Sequence, residues 1–391
     1  MKNLKMIGLL FLASLQNIAQ AYTPVNGHRI LVGSFPFQNF TYDARSAALG
    51  EAGIAISPDG NSALINPAKL VFLNQDSTKK AKNVGVSLHY TPYYRNLIQG
   101  MNLYAFNLFQ AKAKTAIGFG AKYFDAGNVA IYGDNRAFIK NFKSKEFSIN
   151  GFYSLKLRHN NSLSVGLKYI YSNLSARSTT QNITTKPVNA IAGDLYFYHD
   201  GRNAKKYWLN YGASLTNIGG KVSYGDYKAR SFQPTLLKLG TAQNFILGKK
   251  QNILMFTIDA NKLLVPTPSV RNSNNEVIAG RNEENITGIG TIFQSWGTAP
   301  EGLPETMREI TLSFGTEFQF RECLYARAGY YTQNKRKGDI QYFTLGLGGK
   351  FKDFGLDLAY LIPNQQNEVL SSTLRVSLNY LFANKKLESK R

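Results

Sequence analysis

The segment REITLSFGTEFQFR (residues 308–321) alternates between apolar and polar side chains. One face carries Ile310, Leu312, Phe314, Phe318 and Phe320, and the other carries Thr311, Ser313, Glu317, Gln319 and Arg321. Successive side chains of a strand point to opposite faces, so this period of two predicts a strand with one apolar and one polar face. A glutamate in the middle of the polar face suits a hydrated lumen.

The same pattern recurs along most of the chain. We predict fourteen strands, near residues 83–94, 100–110, 115–125, 146–157, 162–173, 189–199, 206–217, 235–246, 251–262, 308–320, 323–333, 340–351, 354–363 and 372–382. Short polar connections follow the even-numbered strands, and longer ones, up to residues 263–307, usually follow the odd-numbered strands. Such alternation is typical of an outer-membrane barrel with tight periplasmic turns and longer outer loops.

A soluble β-sandwich is the alternative, because its strands also alternate. The apolar faces here are large and aromatic, in a chain with 23 Tyr and 25 Phe, as a lipid-facing band with interfacial girdles requires. Strands in lipid must close into a barrel, since an open edge leaves backbone groups unpaired at a cost of several kcal/mol each. We therefore predict an all-β fold, a fourteen-stranded antiparallel transmembrane β-barrel.

The first residues indicate export. MKNLKMIGLLFLASLQNIAQA (residues 1–21) has two lysines, a short apolar run and a small-residue ending, which predicts a signal peptide cleaved after Ala21. The apolar run is too short for the alternative, a membrane anchor. We predict a signal peptide over 1–21, an N-terminal hatch over 22–82, the barrel over 83–382 and a basic periplasmic tail over 383–391, with both chain ends periplasmic.

The segment before the first predicted strand has its own local signals. Asp43 is placed to cap a helix that ends at Gly50, and Asp59 lies in a predicted turn. Asn66 before Pro67 predicts a second helix start. Compact helices of small residues fit inside a barrel, so we interpret this segment as a hatch in the lumen; a periplasmic collar outside the barrel is the alternative.

The formal net charge is +22. Because the chain is exported, we expect no nucleic-acid partner; phosphate-bearing lipid headgroups or acidic partner surfaces are the candidates, and a lineage-wide basic bias is the alternative. The sequence contains no cofactor motif and no metal-ligand motif.

Two outer connections contain candidate binding residues. Ile289, Ile292, Phe293 and Trp296 follow helical spacing in the longest connection, and they either dock in a partner's groove or pack on the barrel rim and roof the lumen. Lys335, Arg336 and Lys337 lie in a predicted tight outer turn, where they either meet lipid phosphates or acidic cargo or are simply solvated.

The segment GEAGIAISPDGNSALINPAKL (residues 50–70) resembles the N-terminal signature of FadL-type outer-membrane transporters. Within that superfamily the chain is most similar to the PorV (LptO) family of the type IX secretion system, through residues 45–72 and through 87–97, 214–226, 259–268, 325–351 and 355–363. The resemblance implies a fourteen-stranded barrel with a lumenal hatch, whose motif residues are Gly50, Gly53, Asp59, Asn66, Pro67 and Ala68.

The resemblance also implies a role and partners. Members of the family accept cargo, through its C-terminal signal domain, from the translocon barrel and deliver it to a surface attachment complex, where cargo is joined to lipopolysaccharide. The implied partners are the translocon, a sortase-like attachment protein, a second small barrel protein and outer-membrane lipid. A FadL-like uptake channel for hydrophobic molecules and a lipopolysaccharide deacylase are the alternatives.

The deacylase alternative depends on one pair of residues. Ser87 and His89 both point into the lumen by the predicted register. Residues two apart on one strand face lie about 6–7 Å apart, which exceeds hydrogen-bond reach, and no orienting acid is evident. We therefore predict that the chain is not an enzyme.

Overall fold

A computed structural model describes residues 28–73, 84–93, 100–132, 138–173, 186–202, 206–224, 230–248, 252–364 and 373–382. The predicted signal peptide (1–21) and basic tail (383–391) lie outside the described residues, so the domain boundaries stay predictions. None of the described helices is long and apolar enough to cross a membrane.

Within the described residues, fourteen antiparallel strands form one closed barrel, in which each strand pairs with the next along the wall and the last pairs with the first. The barrel strands are β1 (Val84–Pro92), β2 (Met101–Ala111), β3 (Thr115–Tyr132), β4 (Phe138–Lys156), β5 (Asn161–Asn173), β6 (Val188–His199), β7 (Tyr207–Ile218), β10 (Leu236–Leu247), β11 (Asn252–Leu263), β14 (Ile310–Phe320), β15 (Leu324–Thr332), β16 (Gln341–Phe351), β17 (Phe354–Pro363) and β18 (Leu374–Phe382). The predicted barrel is confirmed, strand for strand.

The two rims of the barrel differ. The rim where β2 meets β3, β16 meets β17 and β18 ends has short connections, and we name it the turn end. The opposite rim, with the connection from β11 to β14, is the loop end. In outer-membrane barrels short turns face the periplasm and long loops face outward.

The strands alternate between lipid and lumen as the sequence predicts. On β14, Phe314 and Phe318 are exposed on the outer wall, whereas Ser313 and Glu317 are buried on the lumenal side. On β1, Leu88 is exposed and its neighbour His89 is buried. Because the wall is closed, its backbone N–H and C=O groups are hydrogen-bonded between strands, which lipid requires. The outer and lumenal faces then differ only in the polarity of their side chains.

β3 and β4 are longer than predicted, because the prediction ended β3 at residue 125 and began β4 at residue 146. The register between them shifts between Asp125 and Asn128. Such an irregularity interrupts the period of two, so sequence periodicity could not follow the strands past that point.

The hatch fills the lumen as a chain of short helices. These are the 3₁₀ turn Pro36–Asn39, α1 (Ala44–Ala47), α2 (Ser62–Ile65) and the 3₁₀ helix Pro67–Phe72. Asp43 caps α1 by accepting a hydrogen bond from the Ser46 amide, as predicted, although α1 is shorter than expected. Hatch side chains such as Leu49, Ile54 and Leu70 are fully buried against the inner wall.

The hatch runs the length of the lumen. Near its start, the Ser34 amide donates to the Phe232 carbonyl oxygen (2.8 Å), and Phe232 belongs to a loop-end connection. Near its finish, the Phe72 carbonyl accepts from Arg202 Nη2 (2.9 Å) in the β6–β7 connection at the turn end. Residues 28–35, the first described part of the hatch, therefore lie at the loop end.

The loop-end connections contain structure that is too short for periodicity to reveal. Two small hairpins pair β8 (Lys221–Val222) with β9 (Ser231–Phe232) and β12 (Val270–Arg271) with β13 (Val277–Ala279). The largest connection, residues 264–309, also holds α3 (Thr291–Gln294), α4 (Leu303–Arg308) and the 3₁₀ turns Glu283–Asn285 and Ser295–Gly297, and a further 3₁₀ turn is Lys335–Lys337.

Candidate functional site

A buried ionic cluster joins the hatch to the wall. Arg45 in α1 donates from Nε and Nη2 to the two carboxylate oxygens of Glu317 on β14 (2.9 and 2.8 Å), and from Nη1 to Asp59 (3.0 Å). Arg327 on β15 donates to Glu317 (2.6 Å) and to Asp357 on β17 (2.7 Å). We name these five residues the anchor cluster. Each buried charge has an opposite partner in contact, which burial requires.

Asp59 also organises the turn in which it was predicted to lie. Its carboxylate accepts from the Asn61 amide (3.0 Å) and from Ser62 Oγ (2.9 Å). Asn61 in turn donates to Asp357 (3.0 Å), so the turn touches the wall directly. The local turn and the anchor cluster are therefore one connected network.

The two motif glycines lie where a side chain would not fit. Gly50 has φ +65°, and a Cβ there would lie 2.5 Å from the Tyr330 carbonyl oxygen. A Cβ on Gly53 would lie 2.3 Å from Ser46 Oγ, and the Gly53 amide donates to Asp259 of β11 (2.8 Å). The hatch backbone needs glycine here because it packs closely against other backbone and side chains.

The part of the hatch nearest the turn end is held to the wall by Asn66, Pro67 and Ala68. Asn66 caps the following 3₁₀ helix through the Ala68 amide (3.1 Å) and donates to the Phe197 carbonyl of β6 (3.0 Å). The Pro67 and Ala68 carbonyls accept from wall serines, Ser154 (2.9 Å) and Ser162 (2.7 Å). The predicted helix start is confirmed, and the same residues contact three strands.

Lys69 lies beside this helix with its ammonium fully buried. Its Nζ donates to the Gly53 carbonyl (2.9 Å). Burial lowers the pKa of Lys69 to about 8, against the opposing attraction of Asp59. The lysine stabilises the fold of the hatch rather than offering a free charge to a ligand.

A second ionic cluster lies at the loop end. Glu305 in α4 accepts from Arg29 Nε (2.7 Å) and from Lys337 Nζ (2.8 Å), and Lys337 also pairs with Glu309 (3.0 Å). Glu309 in turn accepts from Lys262 Nζ at the end of β11 (2.6 Å). We name these five residues the clasp. They join the start of the hatch to two outer connections.

The clasp shifts the acidity of Glu305. Burial acts to raise the pKa of this carboxyl, but hydrogen bonds from Arg29 and Lys337 outweigh it and lower the pKa to about 2. Glu305 is therefore ionised at any ordinary pH, and the ion pairs persist there.

The predicted basic turn is only partly as expected. Lys335 and Arg336 are exposed, and Arg336 lies 3.7 Å from Glu301. Lys337 is 2% exposed, so its expected accessibility to lipid or cargo is wrong. The reason is the pair of carboxylates on residues 305 and 309, which the sequence alone does not bring near the turn. Whether Lys335 and Arg336 bind a partner stays a prediction.

The predicted apolar stripe of the large connection lies on a broken helix. Ile289, Phe293 and Trp296 are exposed, Phe293 at 80%, whereas Ile292 is half-buried. α3 ends at Gln294 and a 3₁₀ turn continues through Trp296, whose ring lies under Lys262 Nζ at 5.1 Å. The stripe is thus displayed at the surface, and its binding role stays a prediction.

Sequence reasoning missed two further apolar side chains on α4. Leu303 and Met307 are 64% and 46% exposed, one helical turn apart. Thr306 Oγ1 donates to the Trp296 carbonyl (3.3 Å), which places α4 against the turn that holds Trp296. The spacing of Leu303 and Met307 is a signal that could have found them. We name Ile289, Phe293, Trp296, Leu303 and Met307 the loop patch.

Ser87 and His89 are closer than the sequence argument allowed. His89 Nε2 lies 3.0 Å from Ser87 Oγ, and Nδ1 lies 2.8 Å from Ser377 Oγ on β18. The expectation that strand spacing keeps them apart was wrong, because the imidazole ring spans the gap. The amide of Ala44 donates to Ser377 Oγ (2.8 Å), so the hatch covers the group. Both ring nitrogens contact serine hydroxyls, where a hydrolase would place a carboxylate on one of them.

The family to which the chain belongs is shown by a match over most of its length. The family described as type IX secretion system protein PorV matches residues 23–270. The chain belongs to the PorV family. This confirms the family resemblance of the sequence and makes the chain an outer-membrane component of type IX secretion.

Solved structures of outer-membrane transporters are similar to this PorV-family chain. The chain is similar to the toluene transporter TodX of Pseudomonas putida, at 12% identity over 90% of this chain and 98% of that one, with a TM-score of 0.51. A FadL homologue of Pseudomonas aeruginosa is 11% identical over 91% and 99%, with a TM-score of 0.43. The first likeness supports the fold and nothing further. No curated protein matches the chain.

Proposed function

We propose that this PorV-family barrel carries secreted proteins on its outer surface. It would accept cargo, through the cargo's C-terminal signal domain, from the translocon barrel. It would then deliver cargo to a sortase-like attachment protein, with a second small barrel protein as a further partner. On this proposal the barrel itself is a membrane-held carrier and not a conduit.

The single observation that carries the proposal is the closed lumen. Arg45 binds the hatch to Glu317 of β14, and Asn61 binds it to Asp357 of β17. Asp259 and Ser154 bind it to β11 and β4. Opening the lumen would break the buried Arg45–Glu317 and Glu51–Arg375 ion pairs together with these hydrogen bonds. A protein-sized cargo therefore has the outer surface as its available contact.

The loop patch is the surface we assign to that contact. It combines exposed aromatic and aliphatic side chains on α3, on α4 and on the turns that flank α3, and a few buried anchors of this kind dominate the energetics of protein interfaces. A contiguous exposed apolar patch on a protein surface commonly marks an interaction site, and Phe293 is the most exposed member of this one. The clasp holds α4 in place, so the patch is presented on a supported element.

The test is co-purification from outer membranes with Phe293→Ser/Trp296→Ser. We expect the double variant to lose cargo or translocon while the barrel keeps its heat-sensitive mobility on gels. Ile278→Ser, at another exposed apolar position of the same connection, is the matched control and should retain its partners. Full retention of partners by the double variant would refute the assignment of the patch.

We further infer that the chain is not an enzyme. The Ser87–His89 pair lies beneath the hatch, and its hydrogen-bond partners are hydroxyls rather than a carboxylate. A His89→Ala variant should leave the acylation pattern of lipopolysaccharide unchanged. Loss of deacylation with an intact barrel would reverse this inference.

A further inference from the structure

A groove crosses the lipid-facing wall where the barrel closes. It has a volume of about 410 Å³, and its lining includes Leu88, Tyr104, Phe106, Ala121, Tyr123 and Leu378. These residues come from β18, β1, β2 and β3, so the groove lies across the seam between the last and first strands. Its position on the outer wall places it in the membrane and not in the lumen.

The strand register arranges the groove in rows. Three tyrosines are direct neighbours across the sheet, Tyr90 with Tyr104 and Tyr104 with Tyr123. Their ring centroids lie 5.3 and 6.0 Å apart. One step toward the middle of the wall, Leu88 pairs with Phe106 and Phe106 with Ala121. Ala121 is the small member of that apolar row, and it leaves the hollow.

Polar and charged side chains lie above the tyrosines, toward the loop end. Asn102 accepts from Tyr90 Oη (3.0 Å) and pairs in register with Asp125. Asp125 pairs in register with Lys145 and forms an ion pair with Lys143 Nζ (3.1 Å). Both lysines are exposed on the same outward face of β4. Among the described residues, Asp125 is the acidic group of this row, and the Lys143 side chain stays 62% exposed beside it.

This order of rows matches the layers of a membrane. Tyrosines mark the boundary between hydrocarbon and headgroups, apolar side chains lie below it, and lysines at headgroup level attract anionic lipid. At the loop end the adjacent leaflet is the outer one. The two lysines lie where the phosphate of a lipid would be when its acyl chain fills the hollow over Ala121.

We propose that the groove binds one outer-leaflet phospholipid or glycolipid of the lipid A type. An acyl chain lies in the hollow, and Lys143 and Lys145 bind the headgroup phosphate. Lipid phosphate would therefore be a ligand for two of the basic residues that make the chain strongly positive. The proposal does not rest on the cargo-carrying role, because the groove lies on the wall and the loop patch lies on an outer connection.

Native mass spectrometry of the full chain with added diphosphorylated lipid A tests the site. Each headgroup-level lysine contributes a factor of about 5 to binding, so Lys143→Ala/Lys145→Ala should weaken it about 25-fold. The matched control is Lys112→Ala/Lys114→Ala, two exposed lysines at the turn end of the β2–β3 hairpin, which should bind as the parent does.

Two further measurements distinguish the contribution of the lipid acyl chain from that of the headgroup phosphate. Ala121→Phe fills the hollow and should weaken lipid A binding, whereas Ala326→Phe, at an exposed outward position on β15, should not. Lipid A stripped of phosphate should bind as weakly to the parent as lipid A does to the lysine variant, and inorganic phosphate alone should not be retained.

Each contrary result overturns the proposal. These are no retained lipid A, equal weakening in the turn-end control, equal binding of the dephosphorylated lipid, or retention of inorganic phosphate with the same lysine dependence but without the lipid. A partner protein that shields Lys143 and Lys145 from chemical labelling in lipid A-free membranes would also reassign the surface. Heat-sensitive gel mobility confirms for every variant that the barrel has folded.

Discussion

Arg45→Ala is the most informative perturbation of the hatch. Arg45 forms two hydrogen bonds with Glu317 and one with Asp59, and all three groups lie inside the lumen. Loss of one member of a buried pair costs about 3–5 kcal/mol because the other charge stays buried. Arg327 still pairs with Glu317 at 2.6 Å, so the lower end of that range, about 3 kcal/mol, applies here.

The loss of stability should speed amide hydrogen exchange in the hatch and not in the strands of the wall. The hatch backbone near Gly53 and Ile54 donates to Asp259, so its amides report on hatch opening. A loss of about 3 kcal/mol speeds exchange through hatch opening by about 100-fold. Strand amides should exchange as before, because closure of the barrel does not use Arg45.

Hydrogen exchange measured by mass spectrometry on the protein in detergent is the assay. The matched control is Arg308→Ala, which breaks a half-exposed pair with Glu301 worth about 0–1 kcal/mol and should leave hatch exchange unchanged. Unchanged hatch exchange in Arg45→Ala would show that the anchor cluster does not hold the hatch. Equal acceleration in the strands would show that hatch and wall unfold together.

Three further predictions concern the hatch and the clasp. Gly50→Ala should make the hatch sensitive to protease, because the added Cβ would clash with the backbone of the wall. The control is Gly248→Ala, where φ is also positive but the space is open, and it should cost only about 1 kcal/mol of backbone strain. Lys337→Ala should destabilise the outer connections by about 3–5 kcal/mol in thermal proteolysis, whereas Lys335→Ala should change it by under about 0.5 kcal/mol. The pKa of Glu305 is lowered to about 2 from 4.5, so the stability that this carboxylate contributes is present above pH 4.5 and is lost as the pH falls toward 2. We expect an acid transition in tryptophan fluorescence over this range, and Glu305→Gln should abolish it. An unaltered acid transition in Glu305→Gln would contradict the prediction.

Local sequence was sufficient for the elements of the fold. Period-two patterning predicted the barrel strands because lipid on one side and the packed, polar lumen on the other select opposite side chains at each step. Caps at Asp43 and Asn66 predicted two hatch helix starts because capping involves neighbouring residues. The signal failed at the register shift after Asp125, where the period itself is broken.

The contacts of the candidate sites were beyond local reasoning. Arg45 and Glu317 are 272 positions apart, and Arg29 and Glu305 are 276 apart, so neither pair leaves a sequence pattern. Lys337 was predicted to be exposed because a basic turn normally is, yet two distant carboxylates bury it. His89 reaches Ser87 because the orientation of its ring, and not Cα spacing, sets the distance.

The sequence by itself determined fourteen two-faced strands and two helix starts ahead of them, because alternation and helix capping depend on near neighbours. Only the tertiary structure decided that the helical segment fills the lumen, that its residues 28–35 lie at the loop end, that Arg45 meets Glu317 and that three tyrosines align over a groove. Barrel closure sets which strands are neighbours and at what register. Charges and rings that are far apart in the chain therefore meet only once the barrel has closed.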